Sequence, residues 1–172
     1  MSILVTGGAG YIGSHTVIEL LNEGRDVVII DNFSNSKPEV LDKIKEITQK
    51  EFKFYEIDYL DRNALEKVFE ENKIDAVMNF AGYKSVGESV SKPLEYYENN
   101  LSGAVVLLQT MSKYNVKKFI FSSSATVYGE PERIPITEDC KTGGTTNPYG
   151  TTKLFIEKIL EDLYKSDNSW DI

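Results

Sequence analysis

The stretch TGGAGYIG, from Thr6 to Gly13, separates a short apolar run at Ser2 to Val5 from an amphipathic helical pattern. It reads G-x-G-x-x-G from Gly8 and G-x-x-G-x-x-G from Gly7. In either register the glycines permit a tight turn, a close approach of the backbone to a pyrophosphate, and close packing of helix on strand. The helix N-terminus adds unpaired N–H groups and a partial positive charge. The stretch therefore predicts a phosphate-binding strand–loop–helix unit.

A carboxylate at the end of the next apolar run indicates which phosphate compound binds. Asp31 follows Gly13 by 18 residues, where an acidic side chain accepts a hydrogen bond from the adenosine ribose of a dinucleotide. A carboxylate also repels a 2′-phosphate, so the pattern favours NAD over NADP. Ser14 stands where a phosphate-loop NTPase needs a lysine, which disfavours that class. The remaining alternative is a purely structural glycine turn.

Short apolar runs alternate with longer helical patterns along the rest of the chain. Strands are expected at Ser2 to Val5, Asp26 to Ile30, Phe52 to Ile57, Ile74 to Phe80 and Lys118 to Ser122. Helices are expected at Tyr11 to Asn22, Pro38 to Thr48, Asp61 to Glu71, Leu94 to Tyr114 and Pro148 to Leu163. This alternation predicts an α/β fold: a Rossmann-type, doubly wound parallel sheet with helices on both faces. The runs DVVII, AVMNF and KFIF are apolar at successive positions, as strands covered on both faces require.

The end of the sequence suggests that more of the fold follows. SDNSWDI comes after a helical pattern, where the alternation predicts that another strand begins. We therefore expect residues 1–172 to form an NAD-binding domain at the N-terminus of a longer chain. On this interpretation the last strand or strands of the sheet lie outside the sequence.

Composition narrows the classes of partner. The formal net charge of −8 disfavours a nucleic-acid backbone or an anionic membrane surface as a partner. No apolar run approaches the roughly 20 residues that span a bilayer. A single Cys140 and a single His15 cannot build a Cys-rich or His-rich metal site, so no metal is expected. One cysteine, with no basic and apolar leader at the N-terminus, fits a cytoplasmic location.

The segment NPYGTTK places two reactive groups on one face of the last helix. Tyr149 and Lys153 are four positions apart, and the same stripe continues to the apolar Ile156 and Leu160. An ammonium beside a phenol favours the phenolate, so it lowers a tyrosine pKa from about 10 and allows it to act as a base. Ser124 lies after the fifth strand, where ligands bind in doubly wound sheets. The alternative for Ser124 is a serine-rich loop that bonds only its own backbone.

TGGAGYIG, Asp31, SSSATVYG and YGTTK, in this order and at these separations, resemble the extended short-chain dehydrogenase/reductase family. The segments DNFSNSK, FAGYKSVGESV, KPLEYYENN and NPYG bring the resemblance closer to its nucleotide-sugar 4-epimerases. The similarity extends along essentially all 172 residues. Members of that family run to roughly twice this length, so the resemblance implies a C-terminal substrate domain outside this sequence and agrees with the expectation of a longer chain.

The resemblance implies an isomerase of carbohydrate (galactose) metabolism that acts on a UDP-hexose with tightly bound NAD. It would interconvert UDP-glucose and UDP-galactose by transient oxidation at sugar C4. Tyr149 would remove the proton of the 4-hydroxyl, Lys153 would tune Tyr149 and hold the nicotinamide ribose, and Ser124 would bond the reacting oxygen and relay its proton. Related dehydratases carry an Asp-Glu pair after the fifth strand, whereas this sequence has Ala125 and Thr126, so elimination of water lacks its acid and base. The alternatives are a UDP-N-acetylhexosamine 4-epimerase and an NAD-binding fragment without turnover.

The remaining site residues are carried over from the resemblance, position by position. Cofactor contacts are implied for Gly7, Gly10, Tyr11, Ile12 and Gly13 at the pyrophosphate, Asp31, Asn32, Asn35 and Ser36 at the adenosine ribose, Asp58 and Tyr59 at the adenine, and Phe80, Ala81, Gly82, Lys84, Asn99, Ser122, Tyr149 and Lys153 elsewhere. Substrate contacts are implied for Lys84, Ser124, Ala125, Thr126 and Tyr149. Asn99 and Asp58 have structural alternatives, as a buried helix residue and a turn residue. The helices at Leu94 to Tyr114 and from Pro148 often pair across a homodimer in this family, although a monomer also needs apolar stripes for its core.

Overall fold

The computed structural model describes every residue from Met1 to Ile172, and the chain divides into two compact units. The sheet unit comprises Met1–Ala81, Val106–Ser122 and Ser169–Ile172. The helical unit comprises Gly82–Val105 and Ser123–Asn168. None of the helices combines the length and the apolar character needed to cross a membrane.

The sheet unit contains five parallel strands in the order β3-β2-β1-β4-β5. The strands are β1 (Ser2–Thr6), β2 (Asp26–Asp31), β3 (Lys53–Glu56), β4 (Ala76–Asn79) and β5 (Phe119–Phe121). The helices of the chain, in order, are α1 (Tyr11–Asn22), α2 (Glu39–Thr48), α3 (Arg62–Glu71), α4 (Val86–Ser91), α5 (Pro93–Tyr96), a π-helix (Tyr97–Ser102), α6 (Gly103–Lys113), a 3-10 helix (Ala125–Tyr128) and α7 (Pro148–Ser166). The predicted α/β fold with a parallel sheet and helices on both faces is confirmed.

The two faces of the central strands are buried, as the apolar runs predict. On one face, alternate side chains of β1 and β2 meet the inner faces of α1 and α2. This cluster contains Ile3, Val5, Val17, Leu21, Val27, Ile29 and Ile44. The intervening residues Leu4 and Val28 point to the opposite face and are also buried. Successive residues of β1 and β2 are thus buried on both faces of the sheet, which is typical of central parallel strands covered by helices.

The edge strand β5 departs from the sequence expectation. Ile120 is 56% exposed, so the interpretation of KFIF as a strand covered on both faces is wrong at this position. The strand predicted after the last helix is represented by a single parallel bridge between Lys118 and Asp171. Two backbone hydrogen bonds of 2.8 Å hold it, from Phe119 N to Asp171 O and from Asp171 N to Lys117 O. The neighbouring Trp170 is buried, which anchors this end of the chain in the sheet unit.

The helical run from Pro93 to Lys113 is continuous and confirms the predicted long helix from Leu94 to Tyr114, but it contains a π-helix that the sequence does not predict. The chain forms α5, the π-helix and α6 in succession, and the π-helix contains two buried asparagines, Asn99 and Asn100. A π-helix inserts an extra residue into the helical turn and changes which side chains face inward. Apolar periodicity alone does not reveal that insertion. Helix α4 was not predicted, and α7 extends three residues beyond the predicted end at Leu163.

Candidate functional site

The glycine loop of the sheet unit folds tightly back on itself. Gly7 has φ = +67°, a conformation that disfavours other residues, and a Cβ at this position would lie 2.7 Å from Ala81 N. A Cβ on Gly13 would lie 2.3 Å from Gly7 O, so the first turn of α1 touches the loop. Gly10 caps α1 without a side-chain hydrogen bond, which leaves the first amides of the helix available to an anion. The loop has the close backbone packing that the sequence predicts.

Two apolar side chains at the start of α1 lie outside the core. Tyr11 is 74% exposed and Ile12 is 55% exposed. Their side chains contribute little to the packing of the sheet unit. Their exposure is compatible with the expectation that these residues offer backbone groups to a ligand.

Asp31 is held in place by donors on both of its carboxylate oxygens. Oδ1 accepts from Phe33 N at 2.9 Å and from Ser36 Oγ at 2.8 Å, and Oδ2 accepts from Ala9 N at 3.0 Å. Phe33 adopts φ = +55°, which is uncommon for a bulky residue, in the turn that directly follows Asp31. The structure therefore brings Asp31 and Ser36 together beside the glycine loop.

The two segments expected near an adenosine also meet. Asn32 donates from Nδ2 to Asp58 Oδ2 at 3.0 Å, and Asp58 Oδ1 accepts from Leu60 N at 2.9 Å. Asn35 is exposed, whereas the side chain of Tyr59 is buried with 5% exposure. Asn32 and Asp58 are thus adjacent, and Tyr59 belongs to the packing of the sheet unit.

A buried polar pair that the sequence analysis did not identify aligns the ends of β1 and β4. Thr6 donates from Oγ1 to Asn79 Oδ1 at 2.5 Å, and Thr6 Oγ1 accepts from Ala81 N at 3.3 Å. The backbone adds bonds from Phe80 N to Thr6 O at 3.0 Å and from Ser122 N to Asn79 O at 3.2 Å. Phe80, Ala81 and Ser122 therefore lie at the carboxyl ends of neighbouring strands, where ligands bind in open parallel sheets.

In the helical unit, Tyr149 and Lys153 lie on the inner side of α7. Asn147 starts the helix, with Oδ1 accepting from Gly150 N at 2.8 Å, and Pro148 takes the first helical position. Lys153 Nζ lies 6.0 Å from the centroid of the Tyr149 ring. Lys153 is 6% exposed, and this burial lowers its pKa from 10.5 to about 8. Tyr149 is half-buried at the start of the helix.

Ser124 is the N-cap of the 3-10 helix, which packs against this first turn of α7. Its Oγ accepts from Thr126 N at 3.3 Å and from Thr126 Oγ1 at 3.0 Å. A Cβ on Gly150 would lie 3.1 Å from both Cβ and O of Thr126, so the absence of a side chain at Gly150 permits the close approach. Ser123 Oγ donates to Glu157 Oε1, which ties the preceding residue to α7. The structure thus brings Ser124, Thr126 and the residue after Tyr149 together, and Ala125 remains exposed.

The buried Asn100 connects three segments of the helical unit and was missed at the sequence level. Its Oδ1 accepts from Tyr83 N at 2.7 Å, and its Nδ2 donates to Tyr83 O at 2.9 Å and to Thr152 Oγ1 at 3.1 Å. Asn99 donates to Asn100 Oδ1 at 3.0 Å. Gly82, at φ = +140°, passes so close that a Cβ would lie 3.1 Å from Asn100 Oδ1. Two adjacent asparagines inside an apolar helical pattern were the available signal.

The strand order, the glycine loop after β1 and the carboxylate at the end of β2 define an α/β protein of the Rossmann type. Residues 3–170 match the NAD dependent epimerase/dehydratase family, and the chain belongs to this family.

Individual relatives are similar along almost the whole chain. A UDP-glucose 4-epimerase of Haemophilus influenzae is 63% identical over 167 residues, which cover 97% of this chain and 49% of that protein. A UDP-glucose 4-epimerase of Bacillus subtilis is 61% identical over 172 residues, covering 100% of this chain and 50% of that protein. The crystal structure of UDP-glucose 4-epimerase from Bifidobacterium longum in complex with NAD+ and UDP superposes with a TM-score of 0.98 at 59% identity, covering 99% of this chain and 51% of that one. The chain thus spans about half the length of the curated relatives it matches.

Proposed function

We propose that this chain is the NAD-binding part of a nucleotide-sugar 4-epimerase that interconverts UDP-glucose and UDP-galactose through transient oxidation at sugar C4. The observation that carries the proposal is the arrangement on α7. Tyr149 and a buried Lys153 share one face, and the loop with Ser124 packs on the first turn of the same helix. The 63% identity to a UDP-glucose 4-epimerase supports the choice of reaction.

The residues of the sheet unit fit a dinucleotide. The loop from Gly7 to Gly13 has no room for side chains at its close contacts, and the uncapped amides of α1 suit a pyrophosphate. Asp31, already oriented by Ala9, Phe33 and Ser36, would accept from the adenosine ribose, and its charge would disfavour NADP. When bound, NAD would take up the hydride from sugar C4 and return it.

The proposed adenosine and nicotinamide contacts extend to the other residues carried over from the family resemblance. These are Asn32, Asn35, Asp58, Tyr59, Phe80, Ala81 and Ser122 in the sheet unit, and Gly82, Lys84 and Asn99 in the helical unit. For Tyr59 the proposal concerns the backbone, because its side chain is buried.

In the helical unit, Tyr149 would take the proton of the sugar 4-hydroxyl and return it to the other epimer. Lys153, buried on the same face of α7 with Nζ 6.0 Å from the centroid of the Tyr149 ring, would act beside this base as its positively charged neighbour. Ser124 would donate a hydrogen bond to the reacting sugar oxygen. Lys84, exposed in the loop before α4, is proposed to contact the nucleotide sugar together with Ala125 and Thr126.

Dehydration of the sugar is disfavoured by the side chains of the 3-10 helix. Elimination of water needs an acid and a base near the sugar, and this helix presents Ala125 and Thr126 at its first two positions. Neither the methyl group of alanine nor the hydroxyl of threonine can serve as a general acid or base near neutral pH. Epimerisation needs only the single base that Tyr149 supplies.

A second candidate function is NAD binding without turnover. It is favoured by the observation that the chain spans about half the length of its relatives. A UDP-N-acetylhexosamine would require the same base and the same cofactor, so N-acetylated sugars belong among the substrates to be assayed.

The helical unit has an exposed apolar surface that we propose as a homodimer contact. Leu94 is 82% exposed and Val90 is 62% exposed, and Phe155 of α7 is 45% exposed with its ring 6.5 Å from that of Tyr97. Exposed apolar side chains on neighbouring helices are typical of interaction surfaces. Light scattering after gel filtration gives the mass; a monomer at micromolar concentration would contradict the dimer.

The proposed location is the cytoplasm, on the basis of one free cysteine, Cys140.

The Tyr149→Phe variant separates the two candidate functions. Loss of the phenol should leave NAD affinity within about threefold of the wild type, while turnover of UDP-galactose should fall by a factor on the order of 1,000. Calorimetry reports the binding, and proton NMR of the sugar anomeric signal reports the turnover. A wild-type chain that binds NAD and leaves UDP-galactose unchanged would support the second candidate instead.

A further inference from the structure

Thr126 alone donates both of the hydrogen bonds that the hydroxyl oxygen of Ser124 accepts. A serine hydroxyl has one hydrogen to donate and two lone pairs that accept. Thr126 approaches Ser124 Oγ with both its backbone N, at 3.3 Å, and its Oγ1, at 3.0 Å, and both act as donors. Both lone pairs of Ser124 are thereby occupied from the same side. The hydrogen of the Ser124 hydroxyl is left to point in the remaining direction, away from Thr126.

We propose that Thr126 is a positioning residue that holds the Ser124 hydroxyl as a hydrogen-bond donor towards the reacting sugar oxygen. The inference rests on the proposed function and deepens it. A Ser124 with both lone pairs occupied can stabilise negative charge on the sugar oxygen, but it has no lone pair with which to receive the sugar proton. The proton of the 4-hydroxyl then passes directly to Tyr149. This excludes the relay through Ser124 that the family resemblance implied.

Packing keeps Thr126 in the position that this role requires. A Cβ on Gly150 would lie 3.1 Å from both Cβ and O of Thr126. Thr126 therefore packs directly on the first turn of α7. On the other side, the bond from Ser123 to Glu157 holds the loop against the same helix. Ser124 lies between these two attachments. Its donors are therefore fixed relative to α7, which carries Tyr149.

Two substitutions at Thr126 separate the hydrogen bond from the packing. Thr126→Val keeps the branched shape and removes the hydroxyl, whereas Thr126→Ser keeps the hydroxyl and removes the methyl group. The proposal predicts that Thr126→Val lowers kcat by about 10-fold to 100-fold with little change in KM, because the lost orientation matters most when charge develops on the sugar oxygen. Thr126→Ser should restore kcat to within about threefold of the wild type. A purely structural role predicts the reverse order, with Thr126→Ser as the more damaging change.

A double-mutant cycle tests whether Thr126 acts through Ser124. In a Ser124→Ala background, Thr126→Val should reduce kcat by no more than about twofold, since the group that it positions is absent. If Thr126→Val lowered kcat in the Ser124→Ala background by the same factor, about 10-fold to 100-fold, as in the wild-type background, the proposal would be overturned. A loss expressed in KM and not in kcat would also overturn it.

A measurement without ligand or turnover tests the hydroxyl pair itself. Three-bond Hα–Hβ couplings of Ser124, measured by NMR on the chain alone, should report one χ1 rotamer in the wild type and in Thr126→Ser. Thr126→Val should give averaged couplings, because the stronger of the two bonds to Ser124 is lost. Averaged couplings in the wild type, or a single rotamer in Thr126→Val, would overturn the proposal. Single-rotamer couplings in a wild-type chain that shows no turnover would count only against the proposed function.

Discussion

Asn100 donates from Nδ2 to Thr152 Oγ1 at 3.1 Å, and Thr152 Oγ1 donates to the backbone oxygen of Tyr149 at 2.7 Å. The chain of bonds joins the π-helix to the first turn of α7, where the proposed base lies. The same amide pairs with both backbone groups of Tyr83. One buried side chain therefore aligns the loop that follows β4 and the helix that carries Tyr149 and Lys153.

Removing the side-chain amide of Asn100 should lower the free energy of unfolding. Asn100→Leu would leave Tyr83 N and O and Thr152 without their partner in a buried place, and we expect the free energy of unfolding to fall by about 2–4 kcal/mol. Urea unfolding at pH 7 measures the change. The matched control is Asn63→Leu, on the exposed first turn of α3, which should stay within about 0.5 kcal/mol of the wild type. Equal losses in the two variants would show that Asn100 has no special role.

The buried Lys153 should make stability depend on pH in a defined direction. Its pKa is lowered by burial from 10.5 to about 8 in the folded chain, so between these values the unfolded state binds more protons. Stability therefore rises with pH across that interval, and the cost of burying the charge is fully present below about pH 8. Lys153→Met lacks the charge and serves as the reference. The free energy of unfolding of the wild type, relative to that of Lys153→Met, should rise by on the order of 3 kcal/mol between pH 7 and pH 11.

Urea unfolding of both chains at several pH values gives this difference, from which the other titrating groups cancel. Lys158→Met serves as the control, because Lys158 is exposed and paired with Glu161 on the surface of α7. The free energy of unfolding of Lys158→Met should differ from that of the wild type by no more than about 0.5 kcal/mol at every pH up to about 9. If the difference in free energy of unfolding between the wild type and Lys153→Met did not change between pH 7 and pH 11, Lys153 would not be a buried ammonium that titrates in this interval.

A methyl group in the glycine loop should abolish cofactor binding. In Gly13→Ala the new Cβ would lie 2.3 Å from Gly7 O, so the loop must open and would lose the proposed contact with a pyrophosphate. We expect NAD affinity to fall by at least about 100-fold, measured by calorimetry. Gly87→Ala is the control, since no atom lies within 4 Å of its Cβ position in α4, and it should bind NAD like the wild type. Retained affinity in Gly13→Ala would exclude the loop as the pyrophosphate site.

The carboxylate at the end of β2 should decide between the two nicotinamide dinucleotides. Asp31→Ser removes the charge, so NAD affinity should fall by about 10-fold to 100-fold and the preference over NADP should shrink by a similar factor. Asp26→Ser changes the same residue type at the opposite, exposed end of the strand and should leave both affinities unchanged. An unaltered preference in Asp31→Ser would contradict the assignment of Asp31 to the ribose.

The parts of the fold that depend on local pattern were predictable from the sequence. The glycines from Gly7 to Gly13, the apolar strands and the pair Tyr149 and Lys153 are set by short-range spacing, and the α/β fold is confirmed. The π-helix and the role of Asn100 were not predictable, because they depend on hydrogen bonds to residues 17 and 52 positions away. The exposure of Ile120 was missed for a related reason, since an apolar strand residue does not reveal whether a helix covers it.

Proton NMR of the chain with UDP-galactose and NAD, run in parallel on the wild type and Tyr149→Phe, tests the proposed reaction and its base together. We expect the anomeric signal of UDP-glucose to appear with the wild type and to be lost with the variant, because the phenol is the proposed base. Formation of a 4-keto-6-deoxy sugar, or turnover that survives in Tyr149→Phe, would contradict this proposal.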